Sequence, residues 1–215
     1  MLRESSMNRK KLSYLFVARW GMIVLLALIP QVTFSVPLKD SSPVLRSGDI
    51  FPSISFPNLS STEDRKYLGI GDGKLLIFDN IPSDVLVIKF LNTNCVYCIK
   101  LLPTFNEIYQ TIEKDQNLKT RIKIAAIGAG DTTSELDEFK KKYSIPYPVI
   151  PDTEFKAHKA VGEPRVPFIV VARKNKQGQW IVATVNIGLI FSAENFVGEL
   201  KSILDVDPES LKLKK

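Results

Sequence analysis

VLVIKFLNTNCVYCIKLLP, residues 85–103, joins a predicted strand to a predicted helix. Val85 to Leu91 is largely β-branched and aromatic, which is typical of a buried strand. After the polar turn 92–94, apolar residues recur at helical spacing: Leu102, Phe105, Ile108, Tyr109 and Ile112. The chain's two cysteines, Cys95 and Cys98, therefore open a predicted helix.

The position of this cysteine pair favours redox chemistry. We expect Cys95 at or just before the helix N-terminus, where unpaired backbone N–H groups and the helix dipole stabilise a thiolate. Cys98 lies one turn further on, close enough to close a small disulfide ring. A strand, a C-x-x-C at a helix start and a βαβ context are the ingredients of a thioredoxin-like redox site.

Two prolines strengthen the resemblance to the thioredoxin-like superfamily. Pro103 lies five residues after Cys98, where thioredoxins carry the proline that kinks this helix. Pro167 precedes an apolar strand and resembles the cis-proline loop that packs against the C-x-x-C in the family. The resemblance covers residues 48–204 and is greatest to TlpA/ResA-like exported thiol–disulfide oxidoreductases. It implies an α/β fold, a thioredoxin-like three-layer α/β/α sandwich with a central mixed sheet and an N-terminal extension.

The resemblance also implies roles for individual residues. Cys95 would be the attacking nucleophile, and Cys98 would be the resolving cysteine that releases the mixed disulfide. A cis Pro167 would present the Val166 backbone to an extended segment of a client protein. Tyr97 cannot supply the positive charge that a histidine there would, so we expect a moderate thiolate bias. Neither a cofactor nor a metal is needed for this exchange.

Lys89 departs from the family pattern. It lies six residues before Cys95, where thioredoxins place a buried acid that helps to deprotonate the resolving cysteine. Either Lys89 tunes the cysteine pKa, by its charge or as a desolvated neutral base, or its stem packs while its amine reaches the surface. A second acid is also missing, because Leu101 stands where ResA-like relatives carry a glutamate.

Outside the redox segment, the chain divides into four parts. Residues 1–36 read as a secretory signal peptide cleaved near Ser35, or as an uncleaved N-terminal membrane anchor. A linker is expected at 37–47, the thioredoxin-like domain at 48–204 and a frayed polar tail at 205–215. Both N-terminal alternatives place the domain outside the cytoplasm, in the periplasm or at the outer face of a bacterial inner membrane.

The patterns after the redox helix complete an α/β domain. We predict a strand at 121–127, a helix capped by Ser134, and a short helix at 154–161. A hairpin over 168–173 and 180–186 follows, and the helix 193–204 comes last. The glycine-rich stretch 69–73 is predicted to be a turn and not a phosphate loop, because strand residues follow it.

The composition argues against nucleic-acid binding and against a metal centre. The net charge of +6 comes from scattered lysines and from short runs at 140–142 and 212–215, which predict solvated faces. His158 is the only histidine and is predicted on a helix surface. Two cysteines and one distant histidine fall short of a tetrahedral zinc set.

The leading functional prediction is a thiol–disulfide oxidoreductase that reduces client proteins and is recharged by a membrane or soluble redox donor. One alternative is a non-catalytic thioredoxin-fold module that binds extended segments of a partner. A peroxiredoxin-like peroxidase is a further alternative. It is disfavoured because Asn92 occupies the position of the peroxidase threonine, and Thr93 is displaced by one residue.

Overall fold

A computed structural model describes residues 43–211 of the 215-residue chain. The predicted N-terminal segment 1–36, most of the predicted linker and the last four residues lie outside this range. The strands are β1 (Ser55–Pro57), β2 (Leu75–Ile77), β3 (Val85–Leu91), β4 (Ile122–Ala129), β5 (Val149–Asp152), β6 (Phe168–Lys174) and β7 (Trp180–Ile187). The helices are α1 (Thr62–Leu68), α2 (Val96–Lys114), α3 (Leu118–Arg121), α4 (Thr133–Lys142), α5 (Lys156–Ala160), α6 (Ala193–Leu204) and α7 (Pro208–Leu211), and a 3₁₀ turn spans Phe78–Asn80. None of the helices within 43–211 is long and apolar enough to cross a membrane.

A mixed five-stranded sheet forms the centre of the domain, in the order β5-β4-β3-β6-β7. Strand β3 is parallel to β4 and antiparallel to β6, and β4 is parallel to β5. Every residue of β3 is buried, as its continuous apolar run predicts. The predicted hairpin is confirmed as β6 and β7, which pair in antiparallel register.

Helices and loops cover both faces of this sheet. On one face, α2, α4 and α6 pack against side chains of β3, β4 and β6, with Phe105 of α2 and Phe196 of α6 in ring contact. On the other face, the hairpin β1–β2, α5 and Leu68 of α1 pack against Leu86, Ile88 and Phe90. The predicted α/β/α sandwich with a central mixed sheet is confirmed.

The segment before β1 belongs to the domain from residue 43 onward. Leu45, which the sequence placed in the linker, is buried, and its amide donates to the Val161 carbonyl oxygen. Gly162, with a φ of 88°, lies so close to this segment that an added Cβ would be 2.5 Å from the Val44 Cα. The packed part of the chain therefore begins before the predicted boundary at residue 48.

Helix α1 was not predicted, although its caps are visible in the sequence. The Ser61 side chain accepts from the Asp64 amide, and Gly69 ends the helix in the left-handed conformation. Its Tyr67 hydroxyl accepts from the Ile124 amide, so the helix covers the part of β4 that the short β5 leaves unpaired. Seven residues carry too little periodicity to stand out from a loop.

Two predicted helix ends are wrong. Helix α4 is capped by Thr132 and not by Ser134, because Thr132 and Glu135 form a reciprocal capping box. Part of the predicted frayed tail is helical, since the Asp207 side chain accepts from the Glu209 amide and Pro208 opens α7.

Candidate active site

The two cysteines lie at the N-terminus of α2. Cys95 is the N-cap residue, and its Sγ accepts a hydrogen bond from the Cys98 amide at 3.2 Å. Both cysteines are free thiols in this structure. The Cys95 sulfur therefore lies at the end of a long helix and accepts a hydrogen bond from one of its first backbone N–H groups.

Burial separates the two sulfurs. Cys95 is half-buried and faces the surface, whereas Cys98 has no exposed area. Burial raises the pKa of the Cys98 thiol, and the neighbouring Cys95 sulfur raises it further. The more accessible sulfur is therefore Cys95, and Cys98 stays protonated until something takes its proton.

A buried carboxylate fixes the turn that leads into Cys95. Asp131, which follows β4, accepts hydrogen bonds from the Thr93 hydroxyl at 2.8 Å, the Thr93 amide at 3.1 Å and the Asn92 side-chain amide at 3.1 Å. Burial raises the Asp131 pKa, although the hydrogen bonds from Thr93 oppose the shift. Asp131 was not among the predicted site residues. Its signal was an acid just past the carboxyl end of a strand predicted to be parallel to β3.

The same hydrogen bonds bear on the peroxidase alternative. The Thr93 hydroxyl is held by Asp131, and the Asn92 side chain donates to the Ala129 carbonyl oxygen and to Asp131. These groups stabilise the turn and do not point a free hydroxyl at the cysteine. Within residues 43–211, no group of three or more His, Cys, Asp or Glu side chains is arranged to hold a metal ion.

The peptide bond between Val166 and Pro167 is cis, which confirms the prediction made from the sequence. The loop that contains this cis bond places the Val166 carbonyl oxygen beside Cys95. The Cys95 Sγ donates a hydrogen bond to this oxygen at 3.5 Å. Two segments 71 residues apart in the chain thus meet at the nucleophilic sulfur. The structure brings together Cys95, Cys98, Val166 and Pro167, as the sequence analysis expected.

His158 lies on a helix, as predicted, but it is less exposed than a surface position implies. It is half-buried in α5, and its Nε2 donates to the Pro164 carbonyl oxygen at 2.8 Å. Its amide donates to the Asp152 carboxylate, and its ring lies beside Phe90. His158 therefore helps to hold the loop that carries Pro167, a role that no local sequence pattern announces.

An apolar groove of about 400 Å³ begins beside the cis peptide. We use this name for the surface lined by Tyr97, Arg165, Val166, Pro167, Ile187, Gly188, Leu189 and Phe191. Phe191 is 92% exposed and Ile187 is 63% exposed, values that are unusual for large apolar side chains. Tyr97, a predicted tuning residue, is exposed in the groove wall, with the Lys100 ammonium 5.6 Å from its ring centre.

Lys89 lies inside the core, in the middle of β3. The prediction that its amine reaches the surface is wrong, because the residue has no exposed area. Burial lowers the Lys89 pKa to about 8, against the opposing effect of the two cysteines. Leu101, at the position of the missing glutamate, is buried in the apolar cluster beneath α2.

Comparisons with known proteins identify the fold. Neither a protein-family model nor a curated protein matches the chain. The thioredoxin domain of a thiol-disulfide oxidoreductase from Bacteroides vulgatus aligns with a TM-score of 0.55 and 9% identity, over 75% of this chain and 99% of that one. A structure from Chlorobium tepidum, assigned as the thiol:disulfide interchange protein DsbE, aligns with a TM-score of 0.56 and 16% identity, over 74% of this chain and 99% of that one. A Bacteroides thetaiotaomicron structure, assigned as a protein disulfide isomerase, aligns with a TM-score of 0.57 and 15% identity, over 76% of this chain and 92% of that one.

At these identities, the likeness establishes the fold and not the activity. The chain has the thioredoxin-like fold that the sequence motifs implied.

Proposed function

We propose that this protein is a thiol–disulfide oxidoreductase that reduces disulfides in client proteins outside the cytoplasm. The observation that carries the proposal is the Cys95–Cys98 pair at a helix N-terminus, with Cys95 accessible and in contact with the cis-proline loop. A structural pair would not need an accessible sulfur at the one place in α2 where thiolates are most stabilised.

The reaction proceeds by two sulfur displacements. The Cys95 thiolate attacks one sulfur of a client disulfide, a Cys95–client disulfide forms, and the other client sulfur leaves as a thiolate. Cys98 then loses its proton and attacks the Cys95 sulfur, which forms the Cys95–Cys98 disulfide and expels the second client thiolate. The client gains two electrons, and a dithiol donor, membrane-bound or soluble, must return the pair to its reduced state.

Client binding is assigned to the cis-proline loop and the apolar groove. An extended client segment would pair with the Val166 backbone next to Cys95, since backbone pairing recognises any sequence in an extended conformation. Apolar client side chains flanking the disulfide would cover Tyr97, Ile187 and Phe191, which otherwise remain in water. Tyr97 thus has a binding role in this proposal, and an effect of Tyr97 on the cysteine pKa stays a prediction.

The location outside the cytoplasm rests on the sequence of residues 1–36. A signal peptide and an uncleaved anchor both deliver the domain to the periplasm or to the outer face of the inner membrane. A reductant in that location depends on a dedicated electron donor.

Insulin reduction with dithiothreitol as the electron source tests the proposal. Wild type should accelerate insulin precipitation, and the Cys95→Ser variant should not. If wild type is no faster than dithiothreitol alone and forms no mixed disulfide with insulin, the protein is a binding module and the oxidoreductase proposal is wrong.

A further inference from the structure

Lys89 is a cation enclosed by the apolar core. It lies in the middle of β3, in register with Ala126 of β4 and Ile169 of β6, and no part of it is exposed. Its Nζ has no hydrogen-bond partner among the described residues and lies 4.7 Å from the ring centre of Phe105 in α2. An ammonium in such a position has lost its water without gaining a carboxylate.

The groups around Lys89 can be named for each neighbouring element. The strands on either side offer Ala126 and Ile169, which carry no charge. Helix α2 offers Phe105 and the two cysteines, and Cys98 and Cys95 are the groups whose charge acts on Lys89. The Tyr147 hydroxyl is also buried on this face against Phe105, and burial raises its pKa, so it stays neutral.

Burial imposes opposite requirements on Lys89 and Cys98. Burial favours the neutral amine and the neutral thiol: it lowers the Lys89 pKa to about 8, so a fraction of Lys89 is already neutral at neutral pH, and it raises the Cys98 pKa, so the thiol keeps its proton. Cys98 must nevertheless become a thiolate to resolve a mixed disulfide, in a position without solvent-exposed area. The neutral fraction of the Lys89 amine, which lies beneath α2 against Phe105, offers a base that needs no carboxylate.

We propose that Lys89 accepts the Cys98 proton when Cys98 resolves the mixed disulfide. This inference rests on the proposed function. The Cys98 proton moves to the Lys89 nitrogen, the Cys98 sulfur attacks Cys95, the Cys95–Cys98 bond forms, and the client sulfur leaves with the electron pair of the broken bond. In the reverse direction, the Lys89 ammonium returns the proton to Cys98 as the disulfide opens.

Stopped-flow mixing of the reduced protein with one equivalent of dithiobis(2-nitrobenzoate) separates the two sulfurs. Attack by Cys95 releases the first nitrothiobenzoate, and resolution by Cys98 releases the second, each with its own absorbance phase. Lys89→Met, of similar size and without a titratable group, should leave the first phase unchanged and slow the second by at least about 100-fold at neutral pH. In wild type, the second-phase rate should level off above pH about 8 as Lys89 becomes neutral.

The chain offers a matched control in Lys123. This lysine is half-buried, its Nζ lies 4.4 Å from the Tyr67 ring centre, and it donates to the Lys119 carbonyl oxygen. Lys123→Met should change neither phase. Lys89→Arg keeps a positive charge that does not transfer a proton, so its second phase should stay slow.

Four outcomes would overturn the inference. A Lys89→Met variant that is folded by circular dichroism and resolves at the wild-type rate contradicts it. Equal slowing of both phases in Lys89→Met, or normal resolution in Lys89→Arg, would show that no proton moves to Lys89. Normal resolution in Lys89→Arg would mean that a fixed charge acts instead. A wild-type rate that keeps rising with hydroxide contradicts it without any variant. If wild type releases only one nitrothiobenzoate, the proposed function itself fails.

Discussion

Cys95 and Cys98 lie one helical turn apart, yet their surroundings share almost nothing. The outer region around Cys95 combines a helix N-terminus, the cis-proline loop and an apolar groove open to solvent. The inner region around Cys98 is closed, apolar and occupied by one cation, Lys89. The outer sulfur is set up to react with something that arrives, and the inner sulfur is set up to react with Cys95 alone.

The two cysteines of one motif therefore have different requirements for reacting as thiolates. At Cys95, the helix terminus supplies a backbone N–H donor to the sulfur, and the sulfur is accessible to a client. Cys98 has no such help, because burial raises its pKa. The predictions below test this division, beginning with the largest effect.

Replacing each cysteine separately should give the largest difference between the outer and inner regions. Cys98→Ser should trap a covalent Cys95–insulin complex, because the mixed disulfide forms but no second sulfur resolves it. Cys95→Ser should trap nothing, since Cys98 has no exposed area. Non-reducing electrophoresis with mass spectrometry measures both. Trapping by the Cys95→Ser variant would reverse the assigned roles.

Removing the inner cation should stabilise the fold. The Lys89 pKa is about 8 in the folded protein and 10.5 in an ordinary environment, a difference worth about 3 kcal/mol of unfolding free energy. The folded pKa is lowered, so the penalty is fully present below pH about 8 and fades as the pH rises towards the ordinary value.

The stability of Lys89→Met relative to wild type should therefore be greatest at neutral pH and shrink in alkaline solution. Urea unfolding at several pH values measures the difference, and comparison between variants cancels the cysteine titrations they share. A variant that is less stable than wild type at neutral pH would contradict the burial penalty.

Removing the Asp131 carboxylate, which supports the outer region, should change the free energy of unfolding by a smaller but measurable amount. Asp131→Ala leaves the Thr93 hydroxyl and amide without their acceptor and removes one of the two acceptors of the Asn92 side chain, which should cost about 1–3 kcal/mol of stability. Asp131→Asn keeps one acceptor oxygen and should cost less. Urea unfolding compares them, and equal losses in the two variants would mean that the hydrogen bonds are not what stabilises the turn.

The smallest expected effect concerns the apolar groove. Phe191→Ser should raise the KM for a protein client roughly fivefold, equivalent to about 1 kcal/mol of apolar contact. Its reaction with dithiobis(2-nitrobenzoate) should not change, because the small reagent does not need the groove. Leu75→Ser is the matched control, since Leu75 is 57% exposed on β2 and does not line the groove. Equal effects of the two substitutions would remove the groove from client binding.

The sequence predicted the parts of the site that depend on local patterns. Continuous hydrophobicity located β3, helical periodicity after Cys95 located α2, and the order of cysteines and prolines predicted the cis bond at Pro167. These features need only neighbouring residues or a familiar order of motifs, so a single sequence carries them.

The remaining features depend on contacts between distant segments. Asp131 and Thr93 are 38 residues apart, and only the parallel pairing of β3 with β4 brings them together. The Lys89 amine is enclosed because α2 covers its face of the sheet, whereas a strand pattern does not show where a long side chain ends. The His158 contact with Pro164 also depends on the fold of a loop.

Redox equilibration of the described domain in glutathione buffers tests the central claim most directly. We expect a single two-electron transition between the dithiol and a Cys95–Cys98 disulfide, followed by mass after alkylation, at a low potential suited to a reductant. A high potential would make the protein an oxidant or isomerase and contradict the proposed direction. Cysteines that never equilibrate with glutathione or dithiothreitol would contradict the account entirely and leave a binding module.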